Sequence, residues 1–177
     1  MDNGIIKKIL RYLNKAEKGD VQHYFITVEK DSDKTAIIKY LQDFIETRMI
    51  SVYISNKGNS SLEILVRNIL EELINFTPNF NLNQGSSRDM VDNFLYYLNA
   101  IYEELEINKG IFLIIDDVDG LSKSDEFVNW YKRFADSIEM KNYHIPLYIL
   151  LLGSRDKFNV FVNQDDSFAR IFHYDDI

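Results

Sequence analysis

Short apolar runs alternate along the chain with longer segments whose apolar residues recur at helical spacing. The runs are rich in branched and aromatic residues, and polar or turn residues bound each of them. Strands that are buried on both faces of a parallel sheet have such near-continuous apolar sequences. We therefore predict strands at 23–28, 49–55, 111–117 and 146–154, with a weaker fifth candidate at 171–177.

The segments between these runs predict amphipathic helices. Apolar stripes cover 37–45, 62–73, 91–105 and 127–138, and each repeats with the spacing of one helix face. Alternating strands and helices with right-handed crossovers predict an α/β fold, a three-layer αβα sandwich. The polar interval 77–87, which contains Pro78 and Gly85, is the predicted flexible loop.

Composition narrows the class of protein. The chain has 177 residues, of which 46% are hydrophobic, and a net charge of −8, so we expect one soluble, cytoplasmic domain. No basic patch or Lys/Arg run stands out, which argues against binding of nucleic acid or anionic membranes. Cysteine is absent, which excludes disulfides and thiolate metal sites. The apolar runs are too short to cross a bilayer.

The chain shows no internal repeat and no domain linker. We expect residues 1–177 to form a single domain. Since the last predicted strand coincides with the end of the sequence, we expect the chain to be a fragment of a longer protein.

The most specific motif is "GIFLIIDDVDGL" at 110–121, in which a buried strand runs directly into Asp116 and Asp117. Adjacent carboxylates repel each other and lose hydration when they are buried, so such a strand end suggests a function. In P-loop ATPases the first acid orients the Mg²⁺ shell and the second polarises the attacking water. The alternative is that the acids cap a helix beginning near Ser122 or Ser124.

A second motif precedes the first predicted helix. Lys34-Thr35 stands where the phosphate loop G-x-x-x-x-G-K-[ST] would end, between the strand at 23–28 and a helix predicted to begin at Thr35. Val28 and Asp33 occupy the two glycine positions of that pattern. The position therefore predicts a phosphate loop, whereas the residues within it depart from the pattern.

Taken together, these motifs resemble the P-loop ATPase core of the AAA+/STAND superfamily. The closest resemblance is to prokaryotic AAA-ATPases related to origin-recognition initiators and to ATPases of defence and signalling systems. The resemblance implies a five-stranded parallel sheet in the order 5-1-4-3-2, with ATP and Mg²⁺ as cofactors. It assigns Lys34 and the loop residues Ser32 and Asp33 to the phosphates, and Thr35 and Asp116 to Mg²⁺.

The same resemblance assigns three catalytic positions. Asp117 would replace the usual catalytic glutamate, Ser154 would be the first sensor, and Arg170 the arginine finger that reaches a neighbouring subunit. Two alternatives stay open from the residues alone. Ser154 would then belong to a Gly-Ser turn that closes a strand, and Arg170 would be a surface residue paired with Asp165 or Asp166.

Three residues of the loop oppose phosphate binding. Val28 disfavours the positive φ angles that glycine permits, and Asp31 and Asp33 add negative charge. One anion about 4 Å from a phosphate charge costs roughly 4 kcal/mol at an effective dielectric near 20. That is about a thousandfold in affinity. We therefore predict that Asp31 or Asp33 pairs with Lys34.

Two functions follow from these features. The first is a pseudo-ATPase with weak or absent ATP binding that acts as a regulatory or interaction module with a protein partner or by self-association. We expect the chain to lack the lid that normally follows the last strand, which agrees with this function. The second is an active ATPase domain of a DNA-associated replication or phage-defence protein. DNA would then be bound only through regions outside this chain.

Overall fold

The computed structural model describes residues 3–29, 31–45, 47–82, 86–105, 109–140 and 144–177. Five strands are present there: β1 (Gln22–Thr27), β2 (Ile50–Ser55), β3 (Ile111–Asp116), β4 (Leu147–Gly153) and β5 (His173–Asp176). The α-helices are α1 (Asn3–Ala16), α2 (Asp31–Ile45), α3 (Leu62–Ile74), α4 (Ser87–Asp92), α5 (Phe94–Glu104), α6 (Glu126–Met140) and α7 (Arg155–Gln164). Short 3-10 helices cover Val118–Lys123 and Phe168–Ile171.

The strands form one five-stranded sheet in the order β2-β3-β4-β1-β5. All neighbouring strands are parallel. This arrangement confirms the predicted three-layer α/β class and the predicted strand order. Since every strand runs the same way, the carboxyl ends of β1, β3 and β4 meet at one edge of the sheet, where ligands bind in open α/β folds.

Two apolar clusters cover the two faces of the sheet. One contains Ile9 and Leu13 of α1 and Leu41 of α2, which pack on side chains of β1, β3 and β4. The other joins the opposite face of the sheet to α3, α4, α5, α6 and α7. All side chains of β1 and β3 are buried, which explains the continuous apolar runs in their sequences.

Two helix boundaries differ from the predictions. The stripe at 91–105 is divided into α4 and α5 at Asn93, whose backbone leaves the helical region with φ −114° and ψ 22°. The helix that was predicted to begin at Thr35 begins at Asp31. Within 77–87, residues 83–85 lie outside the described part of the chain, and α4 begins at Ser87.

No helix in the described part of the chain is long and apolar enough to cross a membrane.

Candidate nucleotide site

The carboxyl edge of the sheet brings the lysine of one motif to the two acids of the other. Lys34 Nζ lies 2.8 Å from Asp117 Oδ1 and 3.2 Å from Asp116 Oδ1. The ammonium group is largely buried, with 15% of the Lys34 side chain exposed. The parallel sheet produces this contact because β1 leads into α2, while β3 ends at Asp116.

Asp116 is the centre of this cluster. Its carboxylate is 4% exposed and accepts hydrogen bonds from three elements of the fold. Oδ1 accepts from the backbone N–H of Asp117 at 2.8 Å as well as from Lys34. Oδ2 accepts from the hydroxyl of Tyr53 on β2 at 2.9 Å. A buried carboxylate needs such donors, and here both oxygens have them.

These contacts shift the pKa values of their partners. Burial alone would lower the pKa of Lys34, but hydrogen bonds to Asp117 and Asp116 outweigh it and raise that pKa above its usual value. Burial, reinforced by the hydrogen bond to Asp116, raises the pKa of Tyr53 to about 12. Lys34 is therefore charged and Tyr53 is a neutral donor at physiological pH.

The backbone turns sharply after Asp116. Asp117 has φ 57° and ψ 48°, in the left-handed region that Asp tolerates better than most residues. Asn56, which follows β2, donates from Nδ2 to the Asp117 carbonyl at 3.4 Å and to the Asn59 carbonyl at 3.2 Å. A Cβ on Gly120 would lie 2.1 Å from the Asn59 carbonyl oxygen. The loop after β2 therefore packs closely against the turn after β3 and holds it in place.

Ser154 lies at the end of β4, as predicted, and two contacts fix its position. Its backbone N–H donates to Asp119 Oδ1 at 2.8 Å. Its hydroxyl is the N-cap of α7 and accepts from the Lys157 N–H at 3.4 Å. The Ser154 hydroxyl therefore caps α7 in this structure. The role of Ser154 as a sensor stays a prediction.

Arg170 lies in the 3-10 helix before β5 and is exposed. Its guanidinium pairs with Asp166 at 3.6 Å, and 74% of the Arg170 side chain is accessible. This contact is the surface pairing that the sequence left open. The arginine-finger role needs a neighbouring subunit and stays a prediction.

The turn between β1 and α2 departs most from the expectation. Because α2 begins at Asp31, Asp31 and Asp33 belong to its first turn, and only residues 28–30 connect it to β1. The side chains of Ser32 and Asp33, predicted to contact phosphates, and that of Asp31 lie outside the described part of the structure. The described carboxylate partners of Lys34 are Asp116 and Asp117, which the sequence analysis had not paired with it.

The donors for a metal ion are few. Among the described residues, no group of three or more His, Cys, Asp or Glu side chains could hold a metal. Thr35, predicted as a Mg²⁺ ligand together with Asp116, is exposed in α2.

Sequence reasoning missed three residues of this edge: Tyr53, Asn56 and Asp119. Tyr53 and Asn56 come from the end of β2, far from either motif along the chain. Asp119 lies within the quoted motif, but its contact with Ser154 depends on β4 lying beside β3. The only sequence signal was the position of these polar groups at or after predicted strand ends.

The strand order and the lysine that faces two acids at the carboxyl ends of β1 and β3 agree with the resemblance to P-loop NTPases of the AAA+ superfamily. The family model for an AAA domain matches residues 18–160. The chain therefore belongs to this AAA domain family.

Solved structures share this fold. ORC2 of Aeropyrum pernix, described in ADPNP-ADP complexes, is similar over 98% of this chain and 46% of its own, with 14% identity and a TM-score of 0.72. Cdc6p of Pyrobaculum aerophilum is similar over 89% of this chain and 39% of its own, with 17% identity and a TM-score of 0.65. ORC1 of Aeropyrum pernix, described in complex with DNA, is similar over 97% of this chain and 43% of its own, with 12% identity and a TM-score of 0.68.

The chain spans less than half the length of these three proteins. At such low identity the similarity establishes the fold and leaves the activity to be argued from the site. A comparison with curated proteins found no match.

Proposed function

We propose that this AAA domain is a pseudo-ATPase, a regulatory or interaction module whose site binds Mg-ATP weakly or not at all. The observation that carries the proposal is the start of α2 at Asp31. A phosphate loop wraps a phosphate with successive backbone N–H groups before its helix begins. Here residues 31–34, which that loop would need, belong to the helix, and residues 28–30 are too few to replace it.

Charge supports the same conclusion. Asp31 and Asp33 stand in the first turn of α2, at the positive end of the helix dipole, where acidic residues stabilise a helix. A phosphate would have to occupy the same region. Each nearby anion costs roughly 4 kcal/mol at about 4 Å and an effective dielectric near 20. The two acids therefore favour the helix and oppose the nucleotide.

The contacts of Asp116 also disfavour a bound metal. Mg²⁺ demands near-ideal octahedral geometry and oxygen ligands. To coordinate it, Asp116 would have to give up part of its hydrogen bonding to Lys34, Tyr53 and the Asp117 N–H. The described residues, as arranged, do not fit Mg-ATP.

One observation favours the alternative, an active ATPase domain of a DNA-associated replication or phage-defence protein. Lys34 Nζ lies within 3.2 Å of both acids that such an enzyme would use. ORC2 of Aeropyrum pernix, which shares the fold, is described with ADPNP and ADP. In this alternative Lys34 moves from the two acids to the phosphates, residues 31–33 unwind, and Asp116 becomes available to Mg²⁺.

Titration of the protein with Mg-ATP, followed by calorimetry and thermal unfolding, tests the proposal. We expect no saturable binding up to 1 mM Mg-ATP, roughly the intracellular range, and no rise in the melting temperature, because only a ligand that binds the folded state stabilises it. Replacing Val28, Asp31 and Asp33 together by glycine should create Mg-ATP binding. Adding Lys34→Ala to that triple variant should abolish the binding again and is the matched control.

Two results would contradict the proposal. One is micromolar binding of Mg-ATP by the wild type, with a rise of several degrees in the melting temperature. The other is ATP hydrolysis by the wild type that Lys34→Ala abolishes, which would establish the active ATPase instead.

As a regulatory module, the domain would act through a protein partner or through self-association. DNA would be contacted only by regions outside this chain. We propose a cytoplasmic location, in keeping with a chain that has no cysteine.

A further inference from the structure

The outer edge of β5 has no neighbouring strand among the described residues. In the described part of the chain, β5 pairs only with β1, and the strand order places it at the end of the sheet. Ile177 directs both backbone groups towards the β1 side, since its N–H donates to Thr27 and its carbonyl accepts from Glu29, both at 2.9 Å. Successive residues of a strand direct these groups to opposite sides. Tyr174 and Asp176 therefore direct theirs to the outer edge.

A basic helix lies along this edge. Helix α1 contains Lys7, Lys8, Arg11 and Lys15 and no acidic residue, although the whole chain has a net charge of −8. These basic residues are not adjacent in sequence, but they recur at helical spacing and lie on the side of α1 that faces away from the apolar core.

Contacts with β5 fix the orientation of α1. Lys8 Nζ lies 2.5 Å from Asp175 Oδ1, and the Tyr12 ring stacks on His173 with centroids 3.8 Å apart. Burial, and then the charges of Lys15 and Arg11, lower the pKa of His173, as expected for cations close to that ring. The basic side of α1 therefore lies beside β5.

A cation is also present on the other face of β5. Arg155, at the start of α7, pairs with Asp176, and its side chain is 56% exposed. Tyr174 stacks on Phe158 of α7 with centroids 4.5 Å apart. Lys8 and Arg155 thus lie on opposite faces of the strand, each paired with an aspartate of β5, and the side chains of β5 are held by α1 and α7. The positive charge that these aspartates do not balance belongs to Arg11 and Lys15 of α1.

We propose that β5 and the basic side of α1, formed by Lys8, Arg11 and Lys15, are a docking surface for an acidic, extended segment of a partner protein. The segment adds to the sheet as a sixth strand. Its backbone pairs with the outward groups of Tyr174 and Asp176, as in β-strand addition. Its carboxylates lie near Arg11 and Lys15 of α1, since Asp175 and Asp176 already pair with Lys8 and Arg155.

Other occupants fit the observations less well. A membrane would need the apolar side of α1, but Ile5, Ile9 and Leu13 are at most 4% exposed because they pack on the sheet. A second copy that paired β5 with β5 would bring two basic helices together, and like charges repel. Nucleic acid would pair its phosphates with the basic side chains of α1, but it would leave the outward backbone groups of β5 without hydrogen-bond partners.

This proposal rests on the proposed interaction module and states the kind of partner that the module would bind. Its test does not depend on the nucleotide site, because no nucleotide is added. The probe is a fluorescein-labelled peptide of ten residues that alternates Glu and Val, followed by anisotropy at low salt. Two peptides serve as controls. The matched Lys/Val peptide reverses the charge, and a Glu/Val peptide that is N-methylated at alternate residues loses half of its backbone N–H donors. We expect the Glu/Val peptide to bind, and each control peptide to bind at least tenfold more weakly.

Protein variants locate the surface. Arg11→Glu combined with Lys15→Glu should weaken peptide binding at least tenfold. Lys39→Glu, an equal change of charge on the exposed side of α2, should change binding less than twofold. Neither side chain of the double variant is part of the apolar core, and circular dichroism checks that the fold is retained.

Three results would overturn the proposal. They are no binding of the Glu/Val peptide at 1 mM, equal binding of the N-methylated peptide, or displacement of the bound peptide by an equimolar duplex DNA. The N-methylated peptide uses the wild-type protein, so this comparison holds even if a variant fails to fold.

Discussion

The carboxyl ends of β3 and β1 differ in how closely they match a nucleotide site. The end of β3 carries both acids: Tyr53 and Lys34 contact their carboxylates, and Asn56 donates to the backbone carbonyl of Asp117. At the end of β1, the space of a phosphate loop is occupied by a helical turn that begins at Asp31. Asp116 and Asp117 therefore have a structural use in this fold, because removing the partner of a buried charge is costly.

The largest expected effect tests the structural role of Asp116. Replacing Asp116 by Ala leaves the Tyr53 hydroxyl without its acceptor and removes one of the two carboxylates that pair with Lys34. We expect a loss of about 2–4 kcal/mol in the free energy of unfolding, below the range for fully buried pairs because Lys34 keeps some exposure. Urea denaturation measures it. Asp136→Ala, on the exposed side of α6, is the control and should lose less than about 0.5 kcal/mol. Equal losses for the two variants would refute the structural role.

The second prediction is that the stability of the protein depends on pH because of His23, at the amino end of β1. Burial, and then the charge of His173, lower the pKa of His23 to about 4, whereas an unfolded His titrates near 6.5. Since the unfolded chain then binds more protons, stability should fall as the pH drops from about 6.5 to 4, by roughly 2–3 kcal/mol.

Urea denaturation across this pH range checks the prediction. His23→Gln should remove most of the slope, whereas Asp117→Asn should retain it. If His23→Gln kept the full slope, the acid sensitivity would have to be assigned to other groups, including those at the carboxyl edge.

The smallest effect concerns the turn after β3. Asp117→Ala and Asp117→Gly both remove the carboxylate that pairs with Lys34, but only glycine adopts φ 57° without strain. We expect the Gly variant to be more stable than the Ala variant by about 1 kcal/mol. Thermal unfolding of the two variants measures the difference. If Ala were equally stable, the turn would not require the left-handed conformation.

Much of the fold could be predicted from the sequence because its signals are local. The strands β1 and β3 are buried on both faces, so their apolar runs are continuous, and the family resemblance supplied the strand order. The start of α2 was wrong because the resemblance placed a loop there. Asp31 and Asp33 are also favourable residues for the first turn of a helix, which was the competing signal.

The contacts of the site were less predictable because they join distant parts of the chain. Asp31 and Asp33, the loop partners predicted for Lys34, have side chains outside the described part of the structure, and the pairing of Lys34 with the acids at the end of β3 was not predicted. Tyr53 was placed in a strand without a function, since nothing in the sequence indicates that its hydroxyl reaches Asp116. The basic side of α1 likewise becomes visible only when helical spacing is combined with the position of β5.

Amide hydrogen exchange at the start of α2, with and without 1 mM Mg-ATP (roughly the intracellular level), tests the central claim most directly. In a helix that begins at Asp31, the N–H groups of Thr35, Ala36 and Ile37 all donate to carbonyls one turn earlier, whereas a helix beginning at Thr35 would leave these three groups without such partners. The account predicts slow exchange at Thr35, Ala36 and Ile37 that Mg-ATP does not change. Fast exchange at these amides that Mg-ATP slows would contradict it and would identify a working phosphate loop.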